Sequence, residues 1–104
     1  MQHDNTAISK AIERLFPVDG TAHTARVLGL EKRSVDRMQS GYSSTPPRIV
    51  QKLERQVALK SEFEAGLEAL LLSAEGAGLH PLVARYSLMD AIKSGRFDGE
   101  HEPL

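Results

Sequence analysis

An all-α fold is predicted by three features of the 104-residue sequence. Apolar residues recur at spacings of three and four along the chain, which is the periodicity of an amphipathic helix. No segment shows the alternation of apolar and polar residues that a half-buried strand requires. Glycine and proline interrupt the pattern often enough to separate several helices. We therefore expect a small helical domain followed by a C-terminal helical hairpin.

The first helix is predicted from four apolar side chains on one face: Ile8, Ile12, Leu15 and Phe16. Asp4, Asn5 and Thr6 each have a side-chain oxygen suited to an N-cap. Pro17 ends the helix, because the residue before a proline is displaced from helical geometry.

Two shorter helices are predicted next, each ended by a glycine. One covers 21–28 with Thr21 as its N-cap, and it stops at Gly29, which adopts a positive φ without a Cβ clash. The other covers about 32–40 and stops at Gly41, where a polar loop begins.

The second half of the chain is also predicted to be helical. Helices at 47–59 and 62–74 are slightly favoured over one continuous helix, because 61–64 (Ser-Glu-Phe-Glu) has the spacing of a capping box. The same four residues also fit inside a helix, so a single helix is the alternative. A glycine-rich break precedes a last helix at about 81–94, and the tail from 96 onward is expected to fray.

The composition excludes several classes of protein. Without cysteine, the chain has no disulfide, no thiolate metal site and no thiol nucleophile. Its amino terminus is polar, and its longest strongly apolar run, 69–72, is far shorter than the ~20 residues that span a bilayer. We therefore expect a soluble, cytoplasmic protein with no membrane segment.

No constellation typical of catalysis or of metal binding is visible. The histidines have neither HExxH nor i, i+4 spacing, and they are scattered along the chain: His3, His23, His80 and His101. The glutamates of 62–75 are interpreted as a solvated helix face rather than an acid/base pair. We expect no enzyme activity, no cofactor and no metal.

The net charge of -1 is the sum of two opposite halves. Residues 1–60 contain ten Lys or Arg and six Asp or Glu, which gives +4, whereas 61–104 contain three and eight, which gives -5. An ordinary solvated surface explains the charge of +4 in residues 1–60, and a surface that binds a polyanion is the alternative. The division predicts one region at 1–60 and a second at 61–104.

The segment 21–41 has the residues that two short crossing helices need. Ala25 permits close approach, Gly29 makes the turn, and Val35 buries the inner side of the following helix. Three more apolar residues are expected to face inward: Leu28, Leu30 and Met38.

In the spacing of this alanine, glycine and β-branched residue, Thr21–Gly41 resembles the helix-turn-helix of the lambda-repressor and Cro-like DNA-binding proteins. Downstream, Ser40-Gly41 and Pro47-Arg48-Ile49 are similar to the loop and fourth helix of that family. The resemblance covers about residues 6–60.

The resemblance implies a DNA-binding domain at 1–60 whose third helix, about Lys32–Ser40, lies in the major groove of double-stranded DNA. Arg33 or Arg37 would pair with guanine, and Asp36 would accept a hydrogen bond from cytosine or orient an arginine. The expected base contacts are Lys32, Arg33, Ser34, Asp36 and Arg37. The expected contacts to the DNA backbone are Thr21, Gln39, Tyr42, Ser43, Ser44, Thr45 and Arg48.

Two positions depart from the family pattern. Thr21 stands where members often have a glutamine that contacts a phosphate, and its side chain is shorter. Glu31 places a carboxylate next to the expected phosphates, where it must cap the helix, pair with Lys32 or Arg33, or weaken binding.

Residues 61–104 are predicted to form a homodimer interface, because their apolar side chains exceed what one hairpin can bury. The residues expected at this interface are Phe63, Leu67, Leu70, Leu71, Leu82, Tyr86 and Met89. The leading hypothesis is a transcriptional regulator, a repressor or autorepressor of a bacterium or phage, that binds a palindromic operator. The alternatives are an antitoxin-like or adaptor protein whose acidic C-terminal helices bind a protein partner, and a helix-turn-helix kept purely as a scaffold.

Overall fold

The computed structural model describes residues 2–104, and within them the chain forms five helices and no strand. The predicted all-α fold is therefore confirmed. The helices are α1 (Thr6–Leu15), α2 (Gly20–Leu28), α3 (Lys32–Gln39), α4 (Pro47–Gly76) and α5 (Pro81–Lys93). No helix in this part of the chain has the length and apolar character needed to cross a bilayer.

The chain divides into two compact units. Unit 1 contains the described residues up to Ser61 together with Glu102–Leu104, and unit 2 contains Glu62–His101. Helix α4 therefore begins in unit 1 and ends in unit 2.

A buried apolar cluster holds the first four helices of unit 1 together. Val35 of α3 and Leu53 of α4 are completely buried, at 0% exposure. The full cluster is Ile8, Ala11, Ile12, Ala25, Val35, Met38, Ile49 and Leu53. Its members on α1 follow the i, i+3, i+4 spacing of a single helix face. Because α3 contributes Val35 and Met38, it is fixed to the rest of unit 1 along its inner side.

The start of α2 differs from the prediction, because its N-cap position is Asp19 rather than Thr21. Asp19 has a left-handed φ of 53°, a conformation that aspartate tolerates better than most residues. Thr21 lies in the first turn, where its hydroxyl donates a hydrogen bond to Oε1 of Gln39. This bond joins residues 18 positions apart, so the local sequence pattern does not reveal it.

The turn from α2 to α3 has the geometry predicted for a glycine C-cap. Gly29 adopts a φ of 67°, and the backbone N–H of Leu30 donates to the carbonyl of Ala25 over 2.9 Å. This i to i−5 bond belongs to the Schellman motif, which satisfies a carbonyl left free at the helix end. The prediction that Leu30 faces inward is wrong, since its side chain is 37% exposed. Leu28 is half-buried against the core.

Helix α4 is one continuous helix of 30 residues, so the preference for two helices at 47–59 and 62–74 is wrong. The capping-box residues Ser61 and Glu64 lie within it. No proline follows Pro47 inside this segment, and adding a residue to an existing helix costs far less than starting a new one. A local capping pattern alone is therefore insufficient to interrupt it.

Unit 2 consists of the distal part of α4 and of α5, joined by a short turn. The N–H of Leu79 donates to the carbonyl of Ala74 over 2.9 Å, and Gly78 has a φ of 97°. Helix α5 begins with an N-cap that we did not expect: Nδ1 of His80 accepts a hydrogen bond from the N–H of Leu82 over 3.1 Å. No residue of 62–101 is buried.

Two hydrogen bonds attach the end of the chain to the helices of unit 1. The N–H of Leu104 donates to the carbonyl of Val27 over 2.9 Å, and Nζ of Lys52 donates to the carbonyl of Leu104 over 2.8 Å. The sequence predicts a frayed tail from residue 96 onward, whereas these bonds attach its last residue to the C-terminal end of α2 and to α4.

Candidate nucleic-acid interface

Helix α3 has one buried side and one exposed side. Val35 and Met38 are 0% and 5% exposed, and they point into the core of unit 1. All five residues predicted as base contacts are exposed on the same helix: Lys32, Arg33, Ser34, Asp36 and Arg37. The core therefore fixes the helix while its polar side chains stay available to a partner.

The first turn of α3 is basic. The N-terminus of a helix carries partial positive charge, so acidic residues stabilise it and basic residues destabilise it by roughly 0.3–1 kcal/mol each. The first turn of α3 nevertheless has no acidic residue, and it begins with Lys32 and Arg33. Glu31 occupies the N-cap position, but its side chain makes no capping hydrogen bond. The two basic side chains therefore lie at the exposed start of α3.

Arg37 is held in place from two directions. Its carbonyl accepts hydrogen bonds from the N–H of Ser43 and from the hydroxyl of Ser40, each 3.1 Å long. Its guanidinium carbon lies 5.7 Å from the centre of the Tyr42 ring, a cation–π distance. Tyr42 is itself 75% exposed, so this pair stands at the surface beside the exposed side of α3. The sequence predicts Tyr42 only as a contact to the DNA backbone, so this pairing with Arg37 was not expected.

Gln39 connects three segments of unit 1. Its side-chain oxygen accepts from the Thr21 hydroxyl, and its backbone carbonyl accepts from Nδ2 of Asn5. Thr21 and Gln39, both predicted to contact the DNA backbone, are therefore bonded to each other. The side-chain nitrogen of Gln39 can still donate a hydrogen bond to an anionic partner.

The loop after α3 packs against the N-terminal segment. The N–H of His3 donates to the carbonyl of Gly41 over 2.8 Å. Gly41 has a φ of 81°, and a Cβ added there would lie 2.8 Å from the carbonyl oxygen of His3. Only glycine satisfies both constraints. Sequence reasoning missed this contact, because it joins two backbones and leaves no side-chain pattern.

The remaining predicted backbone contacts differ in exposure. Ser44 and Arg48 are exposed, and Ser43 is half-buried. The hydroxyl oxygen of Thr45 is buried and has no hydrogen-bond partner, so this arrangement does not present it to a phosphate. Pro47 and Arg48 begin the first turn of α4, where the N–H groups of Ile49 and Val50 donate to the carbonyl of Pro46. Proline has no N–H, so the backbone N–H of Arg48 is the one suited to a phosphate.

Other features of the surface lie elsewhere. A groove of about 490 Å³ lies between α1 and α4, lined by Lys10, Arg14 and Glu54 among others, and none of the predicted DNA contacts lines it. At the start of α1, hydrogen bonds from Thr6 hold the pKa of the Asp4 carboxyl below its ordinary value. Residues 2–104 contain no cluster of three His, Asp or Glu side chains that is arranged to hold a metal ion.

The residues predicted for a dimer interface all lie in unit 2, but the single chain leaves them uncovered to different degrees. Phe63, Leu70, Leu82 and Tyr86 are 67%, 66%, 52% and 58% exposed. The other three are half-buried: Leu67, Leu71 and Met89.

No family model, curated protein or solved structure matches this chain.

Proposed function

We propose that this chain is a sequence-specific DNA-binding transcriptional regulator that acts as a repressor and binds a palindromic operator as a homodimer, with α3 in the major groove. The observation that carries the proposal is the exposed polar side of α3, opposite the buried Val35 and Met38. The resemblance of Thr21–Gly41 to the helix-turn-helix of the lambda-repressor and Cro-like proteins supports the same function.

The dimensions of α3 match this role. A helix with its side chains is about 10–12 Å wide, and the major groove is about 12 Å wide. The 8 residues of α3 give it a length of about 12 Å, which corresponds to three or four base pairs at about 3.4 Å each. One copy therefore reads a short half-site, and a homodimer reads two half-sites about 10 base pairs apart.

The side chains of α3 and of the segments beside it are expected to contact different parts of the DNA. Arg33 and Arg37 are long enough for a bidentate pair with O6 and N7 of guanine. Stacking on Tyr42 restricts the guanidinium of Arg37, so less side-chain entropy is lost when it binds. Asp36 accepts from a cytosine amino group, and its charge also disfavours a phosphate at its position. Gln39 and Arg48 contact the backbone and set the register.

In-vitro selection from a random DNA pool, followed by affinity measurements on the selected sequence, tests the proposal. The selected sequence is expected to have two-fold symmetry, and its affinity is expected to fall as salt is added. Arg33→Ala and Arg37→Ala should each cost on the order of 1–3 kcal/mol, which is about 5- to 150-fold in affinity. Arg14→Ala is the matched control, because it removes the same charge from the groove between α1 and α4. Equal losses in all three variants, or none in any, would refute the assignment of α3.

The surface of unit 2 favours a second candidate function, binding of a basic protein partner by an antitoxin-like or adaptor protein. Unit 2 contains seven Asp or Glu and three Lys or Arg, which gives it a charge of -4. Recovery of a stoichiometric complex with a basic protein, combined with no DNA selected from the pool, would support this candidate over the first.

A further inference from the structure

Unit 2 has no interior of its own. None of its residues, 62–101, is buried, and several of its large apolar side chains are mostly exposed. Phe63, Leu70 and Ile92 are 67%, 66% and 62% exposed. Apolar surface of this extent marks an interaction site on a protein.

Helix α5 is apolar on every side. At about 100° per residue, its polar positions Arg85, Ser87, Asp90 and Lys93 are spread over about 200° of the circumference, with apolar residues between and opposite them. Helices of this type are normally enclosed by neighbours. Within one chain only Ala84 and Met89 of α5 are half-buried. At least one more helical surface is needed to cover the rest.

The distal part of α4 combines an apolar stripe with an acidic row. Its apolar residues Phe63, Leu67, Leu70, Leu71 and Ala74 fall within about 100° of the helical wheel. Glu64, Glu68 and Glu75 fall within about 40° directly beside this stripe. An apolar helix that lies on the stripe therefore meets carboxylates along one edge.

The two helices of unit 2 have opposite charge. Residues 62–76 carry four glutamates and no basic residue, whereas α5 carries Arg85 and Lys93 against Asp90. Within the described part of one chain, neither Arg85 nor Lys93 forms an ion pair. Each copy thus has an acidic, partly apolar face and an apolar helix of net positive charge.

We propose that a second copy of this chain covers unit 2, with α5 of each copy packed on the distal part of α4 of the other. In a two-fold symmetric pair both contacts occur at once, because an interaction of one surface with the other is repeated by symmetry. This arrangement brings opposite charges together, whereas packing α4 against α4 would oppose eight glutamates. It rests on the homodimer of the proposed function and specifies how that homodimer is formed.

A charge-exchange experiment tests this arrangement on the full chain. One variant carries Glu68→Lys and Glu75→Lys, and the other carries Arg85→Glu and Lys93→Glu. Each variant alone places like charges across the contact, so its dimer dissociation constant should rise at least about tenfold. A mixture of the two places opposite charges at both contacts of a mixed dimer, so association should return to nearly that of the parent. Sedimentation equilibrium measures both effects, and the parent should have about twice the 11.4 kDa mass of one chain.

The outcomes separate this inference from the proposed function. Recovery in the mixture supports contacts between copies, since contacts within each chain stay repulsive there. A dimeric parent with no recovery in the mixture would overturn the exchange of helices, and a monomeric parent would overturn association with a second copy. A monomer that still selects a single half-site would retain the DNA-binding proposal, whereas a dimer that binds no DNA would refute that proposal and leave this inference standing. Helix content of each variant, measured by circular dichroism, checks that it folds.

Discussion

Replacement of Thr24 by valine is expected to stabilise the protein. Thr24 lies in α2 and is 0% exposed, and its hydroxyl oxygen is buried without a hydrogen-bond partner. Leaving a buried polar group unsatisfied costs about 1–3 kcal/mol. Valine has nearly the same shape and the same branching at Cβ, so the exchange removes this penalty while the helix geometry is kept.

The expected magnitude follows from these terms. Thr24→Val should raise the free energy of unfolding by about 1–3 kcal/mol, less any cost of fitting a methyl group where the hydroxyl was. For a domain of 60–100 residues, each kcal/mol corresponds to about 4–8 °C in melting temperature. Urea denaturation followed by circular dichroism measures the change. The slope of the free energy of unfolding against urea concentration should be the same in the variant and the parent.

Thr21→Val provides a matched control, because the hydroxyl of Thr21 is bonded to Gln39. That variant should lose about 0.5–1.5 kcal/mol, the net value of one hydrogen bond. Thr24 is not among the expected DNA contacts, so DNA affinity should be unaffected by Thr24→Val. If Thr24→Val is neutral or destabilising, its hydroxyl has a partner in solution, and the reasoning from an unsatisfied group is refuted.

Two further predictions concern the loop after α3 and the start of α1. Tyr42→Phe should preserve DNA affinity, because the ring still stacks on Arg37. Tyr42→Ala should weaken DNA binding by about 0.5–1 kcal/mol, the value of an exposed cation–π pair. Equal DNA affinities of the two variants would contradict a role for the ring. Bonding to Thr6 lowers the pKa of Asp4 in the folded state, so its stabilising contribution is present above the unfolded value of about 3.9 and is lost as the pH falls through the folded value. Asp4→Ala should therefore lower the melting temperature at neutral pH and match the parent in strong acid, and a difference that persists in acid would contradict this assignment.

The helical fold and the inner side of α3 were predictable from the sequence, because both depend on local periodicity. Val35 and Met38 are three residues apart, which places them on one side of a helix, and both are buried as expected. Gly29 was predictable for a similar reason, since the conformation it adopts is costly for other residues.

Contacts between distant segments were not predictable in the same way. The bonds of Gln39 to Thr21 and Asn5 span 18 and 34 residues, and nothing in the local pattern of any of the three indicates them. Leu30 was expected inside because it is apolar, but a residue just after a glycine turn has its direction set by the turn rather than by helical periodicity. The length of α4 depended on the balance between a capping pattern and helix propagation, which residue identity alone does not decide.

The hydrogen bonds of Leu104 change how unit 2 is connected to the rest of the molecule. The chain leaves unit 1 through α4 and returns to it at Glu102–Leu104, so unit 2 is a closed loop with two anchors rather than an appendage with one. Closing such a loop reduces the conformations open to it, at an entropic cost that grows only slowly with loop length. Cutting the chain before Glu102 would release this restraint and remove the bond to Val27, which lies two residues before the glycine that turns the chain into α3. Unit 2 is therefore connected to the end of α2 by two routes, the covalent chain through α4 and the hydrogen bond of the tail to Val27.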